Sequence, residues 1–157
     1  MGQMMGSEID LVMARLGERG FDVNVEAEDE LRTYRVSGSS FLLRVGIGVK
    51  GILLDFVVDR DGESPELRHS IDTDLYDVSD PRQRWFADEI ERDITSFLDA
   101  LRSGSLKLSR GRNKTTIVFP NAGKYVRVER GRMFTSRREY ERAVDAEADD
   151  QFQPFDA

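Results

Sequence analysis

The stretch VGIGVKGILLD, residues 45–55, decides how the surrounding chain folds. It contains the pattern G-x-G-x-x-G at Gly46, Gly48 and Gly51. In dinucleotide-binding domains this pattern joins a strand to a helix whose N-terminus holds phosphate. Here the residues after Gly51 read ILLDFVVDRDG, which alternate, are rich in β-branched residues and soon meet a turn. A strand therefore follows the glycines, and we expect no nucleotide site.

The glycines themselves predict a structural feature. Glycine within a strand pair permits a bend or the close approach of another backbone. Gly46 and Gly48 share one face of the strand because side chains alternate. We expect a strip without side chains there, against which another element, most simply the long helix described below, lies close.

The flanking residues extend this strand pair into a meander. Four alternating segments, FDVNVEA, LRTYRVS, FLLRVGI and GILLDFVVD, predict four antiparallel strands. A helix capped by Ser7 precedes them, with Ile9, Val12, Met13 and Leu16 on one face. Residues 60–79 are polar and rich in turn residues, so we expect a long loop that contains an exposed His69.

The clearest helix signal starts at Asp80-Pro81. Aspartate suits the N-cap, proline the first helical position, and Gln83 completes a capping box. Gly104 is placed to stop the helix. Its core-facing stripe consists of Phe86, Ile90, Ile94, Phe97 and Leu101.

A second strand group follows in SLKLS, KTTIVF, KYVRVER and RMFT. The capping-box pattern at Ser136–Glu139 predicts a last helix that ends near Ala148. The fold class is therefore α+β: an N-terminal helix, an antiparallel β-meander, a long central helix, a second antiparallel strand group and a C-terminal helix. We expect a single domain over residues 1–148 and a flexible or docking tail over residues 149–157.

Composition excludes several function classes. The chain has no cysteine, so disulfides, thiolate metal sites and thiol nucleophiles are absent. Hydrophobic residues make up 39% and charged residues 34%, enough apolar content for a core. Charged residues and glycines interrupt the longest apolar run, so we expect no membrane span. No signal peptide is evident, and a cytoplasmic location is the expectation.

Neither metal nor catalytic patterns are complete. The carboxylates Asp72, Asp74, Asp77 and Asp80 offer calcium-type ligands, but an EF-hand needs glycine where Asp77 stands and glutamate where Gln83 stands. His69 could be the general base of a catalytic triad only with a serine nucleophile, and the sequence has no G-x-S-x-G motif. We expect no enzyme activity, no cofactor and no metal, and keep a metal-dependent enzyme of the Asp-rich loop as a third hypothesis.

Charge is divided by segment. Residues 1–101 contain 11 basic and 22 acidic residues, and residues 102–142 contain 12 basic and 3 acidic. Residues 143–157 contain 5 acidic residues and none basic. Such division indicates either a charged partner or an internal complement, in which the basic strands face the acidic helix or tail.

Our leading hypothesis is a non-enzymatic protein-binding module, an inhibitor, immunity-type or adaptor protein, that acts as a monomer or homodimer. Element order and acidity are similar to those of small secretion chaperones and of some immunity proteins that neutralise bacterial toxins. A small acidic homodimer like a secretion chaperone is therefore kept as a second alternative, after the nucleic-acid alternative below. Trp85 fits a core or half-buried position or, as the alternative, a surface anchor. The contact would use Asp59, Asp72, Asp74, Asp77 and Trp85.

The alternative hypothesis is nucleic-acid binding by the basic segment. Arginine interleaved with aromatic residues suits phosphate contacts and base stacking, although the net charge of −7 opposes encounter with a polyanion. The residues would be Arg110, Arg112, Lys114, Arg130 and Arg132.

Overall fold

The computed structural model describes residues 6–48, 51–60, 64–72, 80–147 and 150–157. The predicted α+β order is confirmed. The helices are α1 (Ser7–Glu18), α2 (Arg84–Ser103) and α3 (Ala143–Ala146). The strands are β1 (Asp22–Glu28), β2 (Leu31–Ser37), β3 (Phe41–Ile47), β4 (Ile52–Arg60), β5 (Ser64–Asp72), β6 (Lys107–Arg110), β7 (Thr115–Asn121), β8 (Lys124–Arg130), β9 (Thr135–Tyr140) and β10 (Gln153–Pro154).

The described strands form two antiparallel sheets. Strands β1 to β5 pair in chain order, and the second sheet has the order β10-β6-β7-β8-β9. In the first sheet Leu43 lies opposite Phe56, and Phe56 lies opposite His69. This row faces the core, and alternate residues such as Leu42 and Arg44 face outward.

Helix α2 joins the two sheets into one core. The ring of Phe97 lies 5.1 Å from Phe56 of the first sheet and 5.0 Å from Phe119 of the second, both near edge-on. Edge-to-face packing is a favourable arrangement of aromatic quadrupoles. Because Ile94 and Leu101 on the same stripe are also buried, one amphipathic face of α2 contributes to the core of both sheets.

The start of α1 positions the N-terminal half of α2. Gly6, and not a side chain of Ser7, is the N-cap, so the predicted serine cap is wrong. Gly6 has a φ of 87°, and a Cβ there would lie 2.8 Å from the side chain of Ile47, so glycine is required. Its N–H donates to Oε1 of Glu91 at 2.7 Å. The N-terminal half of α2 therefore lies at the end of the first sheet where β3 turns into β4.

The C-terminal segment, residues 150–157, packs against both sheets. Strand β10 pairs with β6, placing Gln153 opposite Leu108. Phe155 is 6% exposed, and its ring lies 5.5 Å from Phe41 and 5.3 Å from Phe56. The last aromatic residue of the chain is therefore part of the core of the first sheet.

Gly38 makes room for this segment. The N–H of Ser39 donates to the carbonyl oxygen of Asp156 at 3.2 Å. A Cβ at Gly38 would collide with the Phe41 ring and with that same carbonyl oxygen. The close passage of the segment over the β2–β3 turn therefore depends on the missing side chain.

Two predicted elements are wrong. Residues 64–72 of the predicted loop form β5, in which Leu67, His69 and Ile71 face the core. The capping-box pattern at Ser136–Glu139 lies within β9, and the last helix covers only Ala143–Ala146. Both segments were misassigned because their polar residues hide the strand pattern, while pairing with a neighbouring strand overrides local propensity.

The predicted start of the long helix is displaced. Helix α2 begins at Arg84, and Gln83 is its N-cap residue. Asp80 caps the preceding turn instead, because its Oδ1 accepts the N–H of Arg82 at 2.9 Å. The predicted stop is confirmed, since Gly104 has a left-handed φ of 83° at the C-cap.

The glycine motif has the predicted context and only part of the predicted packing. Strand β4 follows Gly51 directly, so the absence of a phosphate-binding helix at this point is confirmed. No described atom lies within 4 Å of a Cβ built at Gly46, so the expected packing of another element there is wrong. At Gly48 the nearest side chain is that of Leu31, 3.6 Å from the built Cβ.

Candidate interaction surfaces

Trp85 is an exposed aromatic residue at the start of α2. It is 53% exposed, so a core position is wrong, and about half of the side chain is open to solvent. Its ring centroid lies 3.7 Å from that of Phe86. The turn capped by Asp80 leads directly into this helix start. The indole therefore contacts a second aromatic ring, and about half of its surface faces solvent.

The acidic residues predicted to surround Trp85 are not all close together. Asp72 ends β5 opposite Leu53, at the same end of the first sheet as the N-terminal half of α2. Asp59 pairs with Pro65 near the other end of β5, roughly 20 Å away at the rise of a strand. Asp59 also has a buried Oδ1 without a hydrogen-bond partner among the described residues. Asp74 and Asp77 lie outside the described residues.

Other acidic residues lie at this same end of the first sheet. The turn between β1 and β2 carries Glu28, Asp29 and Glu30, followed by the exposed Leu31. We call residues 28–31, Asp72 and Trp85 the acidic end, in which the β1–β2 turn and Asp72 lie towards opposite edges of the sheet, roughly 17 Å apart at the usual strand spacing. Its combination of carboxylates and apolar side chains suits a basic partner with an apolar contact.

The five predicted nucleic-acid-binding residues do lie together. The register of the second sheet aligns Arg110 with Thr115, Thr115 with Arg130, and Arg130 with Thr135. The turns 111–114 and 131–134 therefore project from the same end of the sheet. We call residues 110–114 and 130–134 the basic end.

The two turns share a sequence pattern that the strand assignment of RMFT missed. One reads RGRNK and the other RGRMF. Each is closed by a hydrogen bond from the glycine N–H, Gly111 to the Lys114 carbonyl at 2.8 Å and Gly131 to the Phe134 carbonyl at 3.0 Å. The repeated Arg-Gly-Arg is the signal by which the second turn could have been found from the sequence.

Several cations of the basic end have partners within the protein. Arg110 makes two hydrogen bonds of 3.0 Å to the carboxylate of Glu66 on β5. Lys114 forms ion pairs with Glu129 at 3.1 Å and with Asp150 at 3.4 Å. The pKa of Lys114 is raised, first by its hydrogen bond to Glu129. These two cations therefore contribute less to an external anion than the sequence implied.

The tips of the two turns remain exposed. Arg112 and Arg132 form no ion pair within the described part of the chain, and Arg130 makes a long hydrogen bond of 3.4 Å to the Pro65 carbonyl. Met133 is 90% exposed and Phe134 is 71% exposed. The basic end thus combines guanidinium groups with two apolar side chains that have no cover.

The outer face of the second sheet is covered by the protein's own acidic segment. Arg127 donates to the carbonyl of Ala146 at 2.9 Å and pairs with Asp150. Lys107 pairs with Glu147 at 3.1 Å. Part of the basic segment therefore faces the acidic tail, as the internal-complement interpretation requires.

Charge in this network is balanced. Burial alone would raise the pKa of Asp150, but the hydrogen bonds and positive charges of Arg127 and Lys114 outweigh it and lower that pKa. An open cleft of about 340 Å³ beside the network has three cations and three carboxylates in its lining. These are Lys114, Arg127 and Arg138, and Glu129, Asp145 and Asp150. The cleft therefore has no excess of either charge.

His69 is a half-buried residue of β5 on the core-facing side and not an exposed loop residue, so that prediction is wrong. Its ring lies 5.5 Å from Phe97 and 5.2 Å from Phe119. Burial, with a smaller contribution from the charge of Arg137, lowers the pKa of His69 to about 4. The imidazole is therefore neutral at pH 7 and serves as a packing group between two aromatic rings.

Comparison of the chain with protein-family models, with curated proteins and with solved structures finds no match. None of the described helices has the length and apolar character needed to cross a membrane. Within the described ranges, no three His, Asp or Glu side chains converge to hold a metal ion. The functional conclusions below therefore depend on the two surfaces alone.

Proposed function

We propose that the protein is a non-enzymatic protein-binding module of the inhibitor, immunity or adaptor type, and that the acidic end is its contact surface. One observation carries this proposal: Trp85, at the start of α2, is 53% exposed, although tryptophan is usually largely buried. Tryptophan is enriched among the residues that dominate interface energetics.

Burial of Trp85 would stabilise a complex substantially. A tryptophan side chain has a surface of up to roughly 250 Å², so the exposed half corresponds to about 130 Å². At about 25 cal/mol per Å², its burial on a partner contributes about 3 kcal/mol. The carboxylates at 28–30 and at Asp72 add attraction for a basic partner, chiefly through faster association.

The test compares two exposed apolar residues. Trp85 and Leu42 are each 53% exposed, but Leu42 lies on the outer face of the first sheet. Tagged wild-type protein, Trp85→Ala and Leu42→Ala are used to capture proteins from cells of the source organism. Each captured protein is then purified and titrated calorimetrically against the three forms.

We expect Trp85→Ala to weaken the true partner by about 2–3 kcal/mol, or roughly 30- to 150-fold, and Leu42→Ala to change its affinity by less than about threefold. Asp72→Lys should slow association, with an effect that shrinks at high salt. A partner that binds Trp85→Ala as tightly as wild type would remove the acidic end from the interface.

Nucleic-acid binding by the basic end is a second candidate. A specific observation favours it: two Arg-Gly-Arg turns project Arg112 and Arg132 from the same end of one sheet, with Phe134 exposed between strands β8 and β9. Phosphate-driven affinity is strongest at low salt. A titration with fluorescent oligonucleotides at low ionic strength that shows no binding would eliminate this function.

A further inference from the structure

We propose that the basic end selects single-stranded nucleic acid, and that Phe134 provides the stacking platform for one unpaired base. The proposal rests on the second candidate function above and adds the ligand class. It also assigns a role to Phe134.

The turns offer contacts for both parts of a nucleotide. Strands in a sheet lie about 4.8 Å apart, so the two turns, separated by two strands, project roughly 10 Å from one another. Arg112 on one turn and Arg132 on the other can therefore hold different phosphates of one strand. Phe134 follows Arg132 by two residues on the same turn and is 71% exposed.

An exposed phenylalanine beside arginines suits unpaired bases. Every base has a π-face, and stacking on an aromatic side chain contributes without regard to base identity. In a duplex both faces of each base are already stacked on neighbouring pairs, so Phe134 would have no ring to contact. Arginine adds to the effect because its planar guanidinium binds phosphate in a bidentate manner and also stacks.

The negative charge elsewhere on the molecule favours a single strand over a duplex or a membrane surface. The chain has a net charge of −7, and Glu66 and Asp150 lie directly behind the turns, paired with Arg110 and Lys114. A flexible single strand can contact the exposed tips alone. A rigid duplex or a planar anionic membrane also brings phosphates close to the rest of the protein, whose net charge of −7 opposes binding.

The affinity should be modest and depend on salt to a limited degree. Arg112, Arg132 and Arg130 neutralise about two to three phosphates. Because single strands release about 0.7 counterion for each neutralised phosphate, log K should fall with log [salt] with a slope of about −1.4 to −2.

The experiment is a set of fluorescence anisotropy titrations with the full chain at low and at physiological salt. The probes are an oligothymidine of about 12 nucleotides, a GC-rich DNA hairpin with a stem of about 12 base pairs that stays paired at low salt, and vesicles of phosphatidylcholine and phosphatidylserine. The variants are Phe134→Ala, Phe134→Trp, Met133→Ala and Arg132→Glu. Arg19→Glu, at the end of α1, is the matched control for a change of charge.

We expect the single strand to bind at least about tenfold more tightly than the duplex. Phe134→Ala should weaken it by about 5- to 100-fold, because stacking on one aromatic ring has that magnitude. Phe134→Trp should retain binding, Met133→Ala should change it by less than about threefold, and Arg132→Glu should abolish it. Arg19→Glu should bind like wild type.

Each contrary outcome is distinct. No binding of either nucleic acid removes the second candidate function together with this inference. Equal binding of single strand and duplex, or an unchanged Phe134→Ala, leaves phosphate binding intact and overturns the assignment of Phe134. Binding of vesicles without binding of oligothymidine identifies a membrane-surface contact and overturns the proposal. Because Phe134 is exposed, we expect unchanged circular dichroism and thermal midpoint in its variants.

Discussion

Acidification should destabilise this protein through protonation of His69. The ordinary pKa of histidine is 6.5, and burial between Phe97 and Phe119 lowers that of His69 to about 4. At a pH between these two pKa values, His69 is protonated in the unfolded chain and neutral in the folded chain. The stability that neutral His69 contributes is therefore fully present above about pH 6.5 and is lost as the pH falls towards 4.

The size of the effect follows from the two pKa values. A pKa difference of one unit corresponds to about 1.4 kcal/mol. The free energy of unfolding should fall by about 2 kcal/mol at pH 5 and by about 3 kcal/mol at pH 4, relative to neutral pH, from this group alone. Such a loss is a large part of the stability of a typical domain.

The assay is urea unfolding followed by far-UV circular dichroism, for wild type and His69→Gln, from pH 7.5 to pH 4 in constant ionic strength. Burial also raises the pKa of Glu91 and of Asp93, so protonation of these two carboxylates favours the folded state as the pH falls. These contributions are common to both proteins and cancel in the difference. The remaining pH dependence belongs to His69.

We expect the wild type to lose stability relative to His69→Gln with decreasing pH, whatever the difference between them at neutral pH. Parallel curves between pH 6.5 and 4.5 would refute the reasoning, since they would show that the folded protein accepts the proton as readily as the unfolded chain. An imidazole pKa near 6.5 by NMR titration would refute it independently.

Three further stability predictions use the same urea assay. Gly38→Ala should lower the free energy of unfolding by about 1–3 kcal/mol because its Cβ collides with a backbone carbonyl. Gly46→Ala places a Cβ in open space on a strand and should be neutral or slightly stabilising. Equal effects of the two substitutions would contradict both placements. Phe155→Ala should cost about 3–5 kcal/mol as a buried aromatic truncation, and a cost under 1 kcal/mol would show that the segment is not docked. Asp150→Asn should cost about 1–3 kcal/mol through its lost pairs with Arg127 and Lys114. The difference in stability between wild type and Asp150→Asn should disappear as the pH falls through the lowered pKa of Asp150. A difference that stays the same at low pH would contradict the ion pairs.

The sheet-forming part of the fold could be predicted where apolar residues alternate. Strands β3 and β4 show that pattern clearly, and the strand predicted after Gly51 is present. Strand β5 has the same period, but one of its inward residues is His69, whose place in the core depends on Phe97 and Phe119, far away in the sequence. Strand β9 has little apolar alternation, and pairing with β8 decides its conformation.

The sequence predicts which residues form the basic end, but it does not predict which of them form ion pairs within the protein. Turn chemistry and the antiparallel order bring Arg112 and Arg132 to one end of the second sheet. The partners of Arg110 and Lys114, however, are Glu66 and Asp150, which are 44 and 36 residues away in the chain. Which cations remain available to a ligand is therefore a property of the tertiary structure.

The buried position of Phe155 has a consequence for biosynthesis. Strands β1 to β5 pair with neighbours in the chain, so the first sheet can form while later residues are still being translated. Its aromatic cluster of Phe41 and Phe56 nevertheless lacks Phe155 until residues 150–157 have also been translated. Until then the nascent chain exposes an incomplete aromatic core, to which a chaperone that binds exposed aromatic residues would bind.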